Sequence, residues 1–421
     1  MNIPEVNVPR IVIVGGGFGG LNLARSLSNK KVQVVLIDKH NYHTFQPLLY
    51  QVATAGLEPD SIAYPFRKIF KNQRKFYFRL AEVESIDLEN TRLHTSIGEL
   101  SYDYLVLATG STTNFFGLED VARHGMSMKE IPEALDIRSL MLQNFEQALL
   151  TDNLSERESL MNIIIVGGGP TGVELAGAIS ELRKHVLPQD YPDLDIRKMN
   201  VHVVEAAPRI LASMSEKASE KALCFLQKMD VQVWLDTRVK SYDGLVAEAH
   251  GGTKITGQTL IWAAGVQGNP VVGVPDTIKS RANRILVDEV NRFGPHEFAI
   301  GDAAEMTSEA RPNGHPMLAQ VALQQGKLLA KNLIREIEKT PLVPFVYADR
   351  GSMATIGRNK AVVDLPKFQF QGAFAWFVWM FIHVISLVGF RNKLVVTFNW
   401  IYNYFRYARD IRLIIRPYKR K

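Results

Sequence analysis

The side chains in this sequence best equipped for chemistry are acids and amides placed after glycine-rich turns. Asp38 closes the β-branched run at residues 32–37, and Glu205 closes Val201–Val204. A carboxylate at the end of such a strand accepts hydrogen bonds from the 2′-hydroxyl of a ribose. Each acid is preceded by a turn of one form, Gly15-Gly16-Gly17-Phe18-Gly19-Gly20 and Gly167-Gly168-Gly169-Pro170-Thr171-Gly172. In G-x-G-x-x-G the first glycine makes the tight turn, the second lets backbone approach a phosphate, and the third lets the helix pack on its strand. Both turns follow apolar runs, residues 11–14 and Ile163–Val166, and lead into apolar helical patterns. Backbone N–H groups at those helix starts would cradle a pyrophosphate. Two such units point to two dinucleotides on one polypeptide.

The elements that must position these residues repeat as well. After each acid comes a stretch patterned like a β-meander, residues 76–107 and 231–261, closing on an apolar strand and a small-residue turn, Ala108-Thr109-Gly110 and Ala263-Ala264-Gly265. From the first loop glycine to the closing glycine is 95 residues in one half and 98 in the other, which an internal duplication explains economically. A third element, Phe298-Ala299-Ile300-Gly301-Asp302-Ala303-Ala304, is an apolar strand ending in Gly-Asp downstream of both repeats. The expected fold class is α/β: two Rossmann-like dinucleotide-binding domains followed by a helical C-terminal region.

Length and composition bound the function. At 421 residues, 46% apolar and 22% charged, the chain has room for two or three ordinary globular domains. Residues 1–9 lack the apolar core of a signal peptide, so the protein is expected to remain on the cytoplasmic side. The single Cys224, in a helical pattern at residues 215–229, reads as a small core residue. It excludes flavin chemistry routed through a cysteine pair, and electrons must leave for a diffusible or membrane acceptor. No zinc or iron–sulfur spacing exists, and His40 and His43 read as loop residues rather than metal ligands.

With these motifs in view, the chain resembles the type II NADH dehydrogenases, single-subunit NADH:quinone oxidoreductases that do not pump protons. The resemblance rests on residues 11–20, on residues 45–53 (Phe-Gln-Pro-Leu-Leu-Tyr-Gln-Val-Ala), and on residues 167–177 with Gly-Val-Glu-Leu-Ala-Gly. It continues through Trp262-Ala263-Ala264-Gly265-Val266, Gly301-Asp302-Ala303-Ala304, residues 319–326 and an aromatic, basic C-terminus, covering essentially the whole chain. It implies non-covalent FAD in the first half, with Gly15, Gly17, Gly20, Asp38, Lys39, Gln46, Val83, Thr109, Gly110, Asp302 and Gln320 around it. It implies NADH as substrate in the second, with Gly167, Gly169, Gly172, Glu174, Glu205, Ala264 and Gly265. It also implies a homodimer and a quinone partner, ubiquinone or menaquinone.

Catalytic candidates are Glu174, Gln320 and Gln324. The glutamines lie four residues apart in a helical pattern at 317–339, so their amides share a face and could donate to quinone carbonyls and flavin oxygens without fixing a charge there. Glu174, in the first turn after the second glycine loop, complements a helix dipole; by the resemblance it also lies where it could relay a proton. Glu205 would repel a 2′-phosphate, so NADH is expected over NADPH, a discrimination that Arg209 could soften.

The expected division is an FAD domain at 1–117 and 273–345, a NAD domain at 118–272 and a C-terminal anchor at 346–421. Residues 391–421 carry nine Lys or Arg and one acid, Asp410, whereas the preceding 390 residues hold 40 basic and 42 acidic side chains. Residues 372–390 form an uncharged aromatic stretch about 28 Å long as a helix, marginal for a span. Trp376, Trp379 and Trp400 recur through the region, and Asn399, Asn403, Arg406 and Asp410 share a helical face opposite Trp400, Ile401, Tyr404 and Phe405. This pattern favours a monotopic anchor lying in the lipid interface, with His383 interfacial or packed. The basic tail needs no nucleic acid to explain it, since lipid accounts for its aromatics too. The rival enzyme is a soluble flavin-dependent NAD(P)H reductase feeding ferredoxin or rubredoxin; a non-enzymatic NAD-bound sensor is a third reading.

Overall fold

The computed structural model describes residues 1–269, 271–309, 311–406 and 412–420. Seven helices position the candidate site: α1 (Phe18–Ser26), α2 (Leu49–Ala53), α3 (Ile131–Leu150), α4 (Pro170–His185), α5 (Ala319–Ile337), α6 (Ala373–Ser386) and α7 (Phe390–Arg406). The chain divides into two compact units, Met1–Thr44 with Tyr64–Thr112 and Val266–Asp349, and Phe45–Ala63 with Thr113–Gly265 and Arg350–Lys421.

The first unit is built on a parallel five-stranded sheet in the order Glu297–Ala299, Tyr104–Leu107, Arg10–Val14, Gln33–Asp38, Phe76–Leu80. Strands buried on both faces read as continuous β-branched runs, and Ile11, Val12, Ile13, Val35, Leu36 and Ile37 are completely buried here. Each such side chain contributes about 1.5–3 kcal/mol of burial. Val83–Asp87, Arg92–Thr95 and Gly98–Ser101 form a separate antiparallel sheet on the same core.

The second unit repeats the plan. Its parallel sheet runs Met126–Ser127, Thr259–Trp262, Ile163–Val166, Val201–Val204, Val231–Trp234, and Val239–Tyr242, Val246–Ala249 and Lys254–Thr256 make the matching antiparallel sheet. Both stretches expected to be meanders are therefore mixed. Their outer strands join the parallel sheet and only their middle three pair antiparallel, as the duplication requires.

Besides shifts of a few residues at 112 and 266, the unit boundaries depart from the expected domains in two larger ways. Residues 45–63 group with the second unit because α2 packs on α3 and α4. The C-terminal region is not a separate body either. Its antiparallel sheet, Ser352–Gly357, Lys360–Asp364 and Gln369–Gln371, lies against α4, so close that a Cβ on Gly177 would sit 1.8 Å from the Ile356 carbonyl oxygen. A glycine inside α4 costs helix stability, and this backbone contact is its reason. Among the described residues no helix is long and apolar enough to cross a membrane.

Candidate functional site

The two glycine turns adopt one geometry. Gly15 and Gly167 open them with φ of +98° and +112°, where a side chain would be strained. A Cβ on Gly20 would lie 1.9 Å from the Gly15 carbonyl oxygen, and one on Gly172 would lie 1.9 Å from that of Gly167. A Cβ on Gly17 or Gly169 would meet nothing within 4 Å, so the middle glycine of each turn presents bare backbone to open space. That is the arrangement a close-packed pyrophosphate needs.

Each strand-end acid braces its own turn. The Gly16 N–H donates to Asp38 Oδ2 at 2.6 Å and the His40 N–H to Oδ1 at 2.7 Å. The Gly168 N–H donates to Glu205 Oε2 at 2.5 Å and the Ala207 N–H to Oε1 at 2.7 Å. A carboxylate has lone pairs left after two such bonds, so both acids can still accept from a ribose hydroxyl. Burial raises the Asp38 pKa above the ordinary value, partly offset by these N–H donors. Arg209 donates to the carbonyls of Met214 and Ala212, neutral acceptors that leave its charge in place.

Around the first turn, Thr109 Oγ1 and His43 Nε2 are buried without a hydrogen-bond partner. His43 Nδ1 lies 2.9 Å from the Gly16 carbonyl oxygen, and burial pushes its pKa down to about 4, so it is neutral. No cluster of metal-binding side chains occurs among the described residues. Asp302 follows the Glu297–Ala299 strand as expected, and Ser111 Oγ donates to its Oδ2 at 2.6 Å. Gly110 takes a positive φ of +70°, Val83 begins an antiparallel strand, and Lys39 is exposed. The orphaned polar atoms, bare glycine backbone and braced acid fit a flavin dinucleotide in this unit. Gln46 stands in the other unit, exposed, its amide 3.3 Å from the Lys129 carbonyl oxygen.

On α5 the glutamines divide their roles. Gln324 is tied to the backbone of Ala348, donating to its carbonyl at 2.9 Å and accepting from its N–H at 3.0 Å. Gln320 Oε1 lies 3.5 Å from the Tyr347 hydroxyl. The adjacent Gln325, not singled out from the sequence, is buried and accepts from the Gly301 N–H at 2.7 Å, fixing the Gly-Asp turn. Its only signal was a third amide in the same glutamine-rich stretch.

Glu174 is buried in the first turns of α4 and accepts from the Thr355 N–H at 3.3 Å. Burial pushes its pKa up to about 8, against smaller opposing effects of Thr355 and the Trp379 indole, so the carboxyl is neutral at pH 7. The Trp379 indole N–H is buried beside this carboxyl and opposes the rise in its pKa. Glu174 lines a cavity of about 100 Å³ with Tyr50, Thr355, Arg358, Trp379 and Trp400, all of the second unit. Thr355 and Trp379 escape sequence reasoning because they lie about 180 and 205 residues from Glu174 along the chain. Ala264 and Gly265 close the Thr259–Trp262 strand beneath this unit's glycine turn, where a Cβ on Gly265 would strike the Phe116 ring at 2.6 Å.

The C-terminal helices reverse part of the expected pattern. Trp379 and Trp400 are buried rather than interfacial, and the Trp400 indole donates to Gln51 Oε1 at 2.8 Å. Asn399 and Asn403 donate to Glu58 and the Gly56 carbonyl, so the amide face of α7 looks inward. His383 is packed, its ring stacked 4.1 Å from Trp379. Asp410 lies outside the described residues. Phe374, Phe377, Phe381 and Ile385 on α6, and Phe390, Phe398, Ile401 and Phe405 on α7, are exposed. Cys224 is half-buried rather than a full core residue.

Comparison with known proteins decides the family. Residues 9–326 match the pyridine nucleotide-disulphide oxidoreductase family and residues 350–410 the NDH2 C-terminal domain. The type II NADH:quinone oxidoreductase NdhA of Mycobacterium tuberculosis is 36% identical, covering 95% of this chain and 88% of that protein. The chain belongs to the type II NADH:quinone oxidoreductase family. A second M. tuberculosis enzyme of the same description, Ndh, is 35% identical over 93% of this chain and 87% of its own. Among solved structures, NDH2 of Plasmodium falciparum in complex with NADH superposes with a TM-score of 0.88 over 97% of this chain and all of its own, at 22% identity. A sulfide:quinone oxidoreductase from Aquifex aeolicus shares the fold at a TM-score of 0.71, 20% identity and 92% of both chains.

Proposed function

We propose that this enzyme oxidises NADH and reduces a membrane quinone, with the buried Glu174 carboxyl supplying a proton at the quinone. The chain is an FAD-dependent NADH:quinone oxidoreductase, and the bound flavin supplies the hydride acceptance and two-electron delivery that no side chain here can perform. The first glycine turn with Asp38 holds the flavin dinucleotide, and the second with Glu205 holds NADH. Both Glu205 oxygens face backbone donors, which holds the carboxylate where it would repel a 2′-phosphate and accept from a 2′-hydroxyl, so NADH is favoured over NADPH.

The observation that carries the Glu174 assignment is a neutral carboxyl, with pKa near 8, lining a cavity walled by indoles. A group poised near the working pH both gives and regains a proton readily. Gln320 is the amide proposed to face the acceptor and the flavin, because Gln324 is occupied by Ala348. The exposed aromatic faces of α6 and α7 are proposed to lie in the lipid interface on the cytoplasmic side, so that quinone arrives from the bilayer. A soluble ferredoxin-type reductase has no use for that exposed apolar area. A homodimer aligning two such faces is the associated expectation.

The test is anaerobic. The yellow enzyme in detergent should bleach with NADH and recover with a short-chain quinone. Glu174→Gln should keep flavin content and bleaching rate while the recovery slows by about 10²-fold or more. Recovery at the wild-type rate would reject the proton role and leave the reaction itself intact.

A further inference from the structure

Backbone strain in this molecule gathers at the second glycine turn. Among the described residues, Phe116 and Leu211 are the only bulky apolar residues with a left-handed backbone, at φ of +52° and +49°. Such a conformation is an outlier for a large side chain and persists only where the surroundings over-determine it. Leu211 has an evident reason: its N–H donates to the Gly168 carbonyl at 2.8 Å and its side chain is buried. Phe116 has no such burial, since it is 64% exposed.

The turn that carries Phe116 is nonetheless fixed at three points. The Trp262 indole donates to the Asn114 carbonyl at 2.8 Å, the Asn114 N–H to the Gly265 carbonyl at 3.2 Å, and the Phe116 N–H to Asn114 Oδ1 at 2.8 Å. These bonds set the phenyl ring against Gly265, where a Cβ would meet it at 2.6 Å. Gly265 ends the small-residue turn Ala263-Ala264-Gly265, and that same turn closes on the glycine cradle, for a Cβ on Gly167 would lie 2.7 Å from the Ala263 carbonyl oxygen. A strained, exposed ring therefore stands on the turn that borders the cradle, all within the second unit. A ring already held rigid loses little further freedom when a ligand covers it, so its burial counts almost wholly toward affinity. We propose that the Phe116 ring packs on bound NADH and holds it against the turn at residues 263–265. The inference rests on the reading that the second glycine turn holds NADH.

The test uses the FAD-loaded enzyme and three variants. Phe116→Gly removes the ring and suits the left-handed backbone, Phe116→Tyr keeps the ring, and Gly172→Ala spoils the cradle itself. In Phe116→Gly the dissociation constant of NAD⁺ from the oxidised enzyme and the KM for NADH should each rise about tenfold, with a much smaller fall in kcat. Its KM for quinone should not rise, and it should unfold no lower than the wild type, because release of strain offsets the freedom glycine adds to the unfolded chain. Phe116→Tyr should bind NAD⁺ within about twofold of the wild type. If Gly172→Ala weakens NAD⁺ binding and Phe116→Gly does not, the ring plays no part although the cradle does. If neither weakens it, the assignment of the second turn to NADH fails and takes the inference with it. Weaker binding in Phe116→Gly that comes with a markedly lower unfolding midpoint and a raised KM for quinone would make the ring a structural prop. Equal losses in Phe116→Gly and Phe116→Tyr would likewise overturn the contact.

Discussion

The two glycine-turn halves share a sheet order, and their turns make matching backbone contacts, yet they differ in what borders the turn. In the first, the Gly-Asp strand returns late in the chain, Ser111 and Gln325 fix it, and orphaned atoms of Thr109 and His43 wait beside the loop. In the second, the fifth strand is only Met126–Ser127 and no Gly-Asp turn follows it; the chain runs into α3 instead. Its turn is bordered by a longer helix, α4, whose first turns carry Glu174 and whose glycine lets the C-terminal sheet sit on it. Duplicated backbone thus supplies two equivalent phosphate cradles. In the proposed reading, the unduplicated additions make the first a resident cofactor site and the second a site for a substrate that comes and goes beside a proton donor.

The sharpest way to break this comparison is to spoil each cradle in turn. A Cβ at either third glycine would lie 1.9 Å from a carbonyl oxygen, so Gly20→Ala and Gly172→Ala should suffer similar local clashes with different consequences. Gly20→Ala should purify with at least about tenfold less flavin absorbance, whereas Gly172→Ala should stay yellow while its KM for NADH rises about 10- to 100-fold. Loss of flavin from Gly172→Ala would reverse the assignment of the two halves.

A smaller effect is expected at the acids. Glu205→Gln removes the charge facing a 2′-phosphate, and the ratio of kcat/KM for NADH over NADPH should fall about tenfold. Asp38→Gln should leave that ratio alone. Steady-state rates with both nucleotides decide it.

The smallest effect concerns stability. The Glu174 pKa is raised from an ordinary 4.5 to about 8, so the folded protein keeps a proton that the unfolded chain releases between those values. The stability that this group confers is present below about pH 4.5 and is lost as pH rises through about 8. The midpoint of thermal unfolding should therefore fall less steeply from pH 5 to pH 8.5 in Glu174→Gln than in the wild type, by a few degrees. Equal slopes would mean that the carboxyl is ionised in the folded enzyme.

Much of this was legible because Rossmann units write their function locally. Turn, strand and acid fall within about forty residues, and each glycine has its own steric reason. The repeat distance exposed the duplication, and the lone Cys224 removed thiol chemistry. Side chains joined across long loops were not legible in that way. Trp379 and Trp400 read as interfacial indoles from composition, because hydropathy records apolar character and not the direction it faces. Three of the tail's arginines read as charge for lipid, yet Arg412, Arg416 and Arg420 bind Asp190, Asp136 and the Gln258 carbonyl.

The sequence alone therefore determined the two dinucleotide cradles and the family, since the necessary φ angles, strand burial and strand-end carboxylates are set by residue type at short range. Tertiary structure alone decided the ionisation of Glu174 and the employment of Gln324. Each depends on what distant segments bring or fail to bring within hydrogen-bond reach, and on how completely they exclude the water that would otherwise hold the charge.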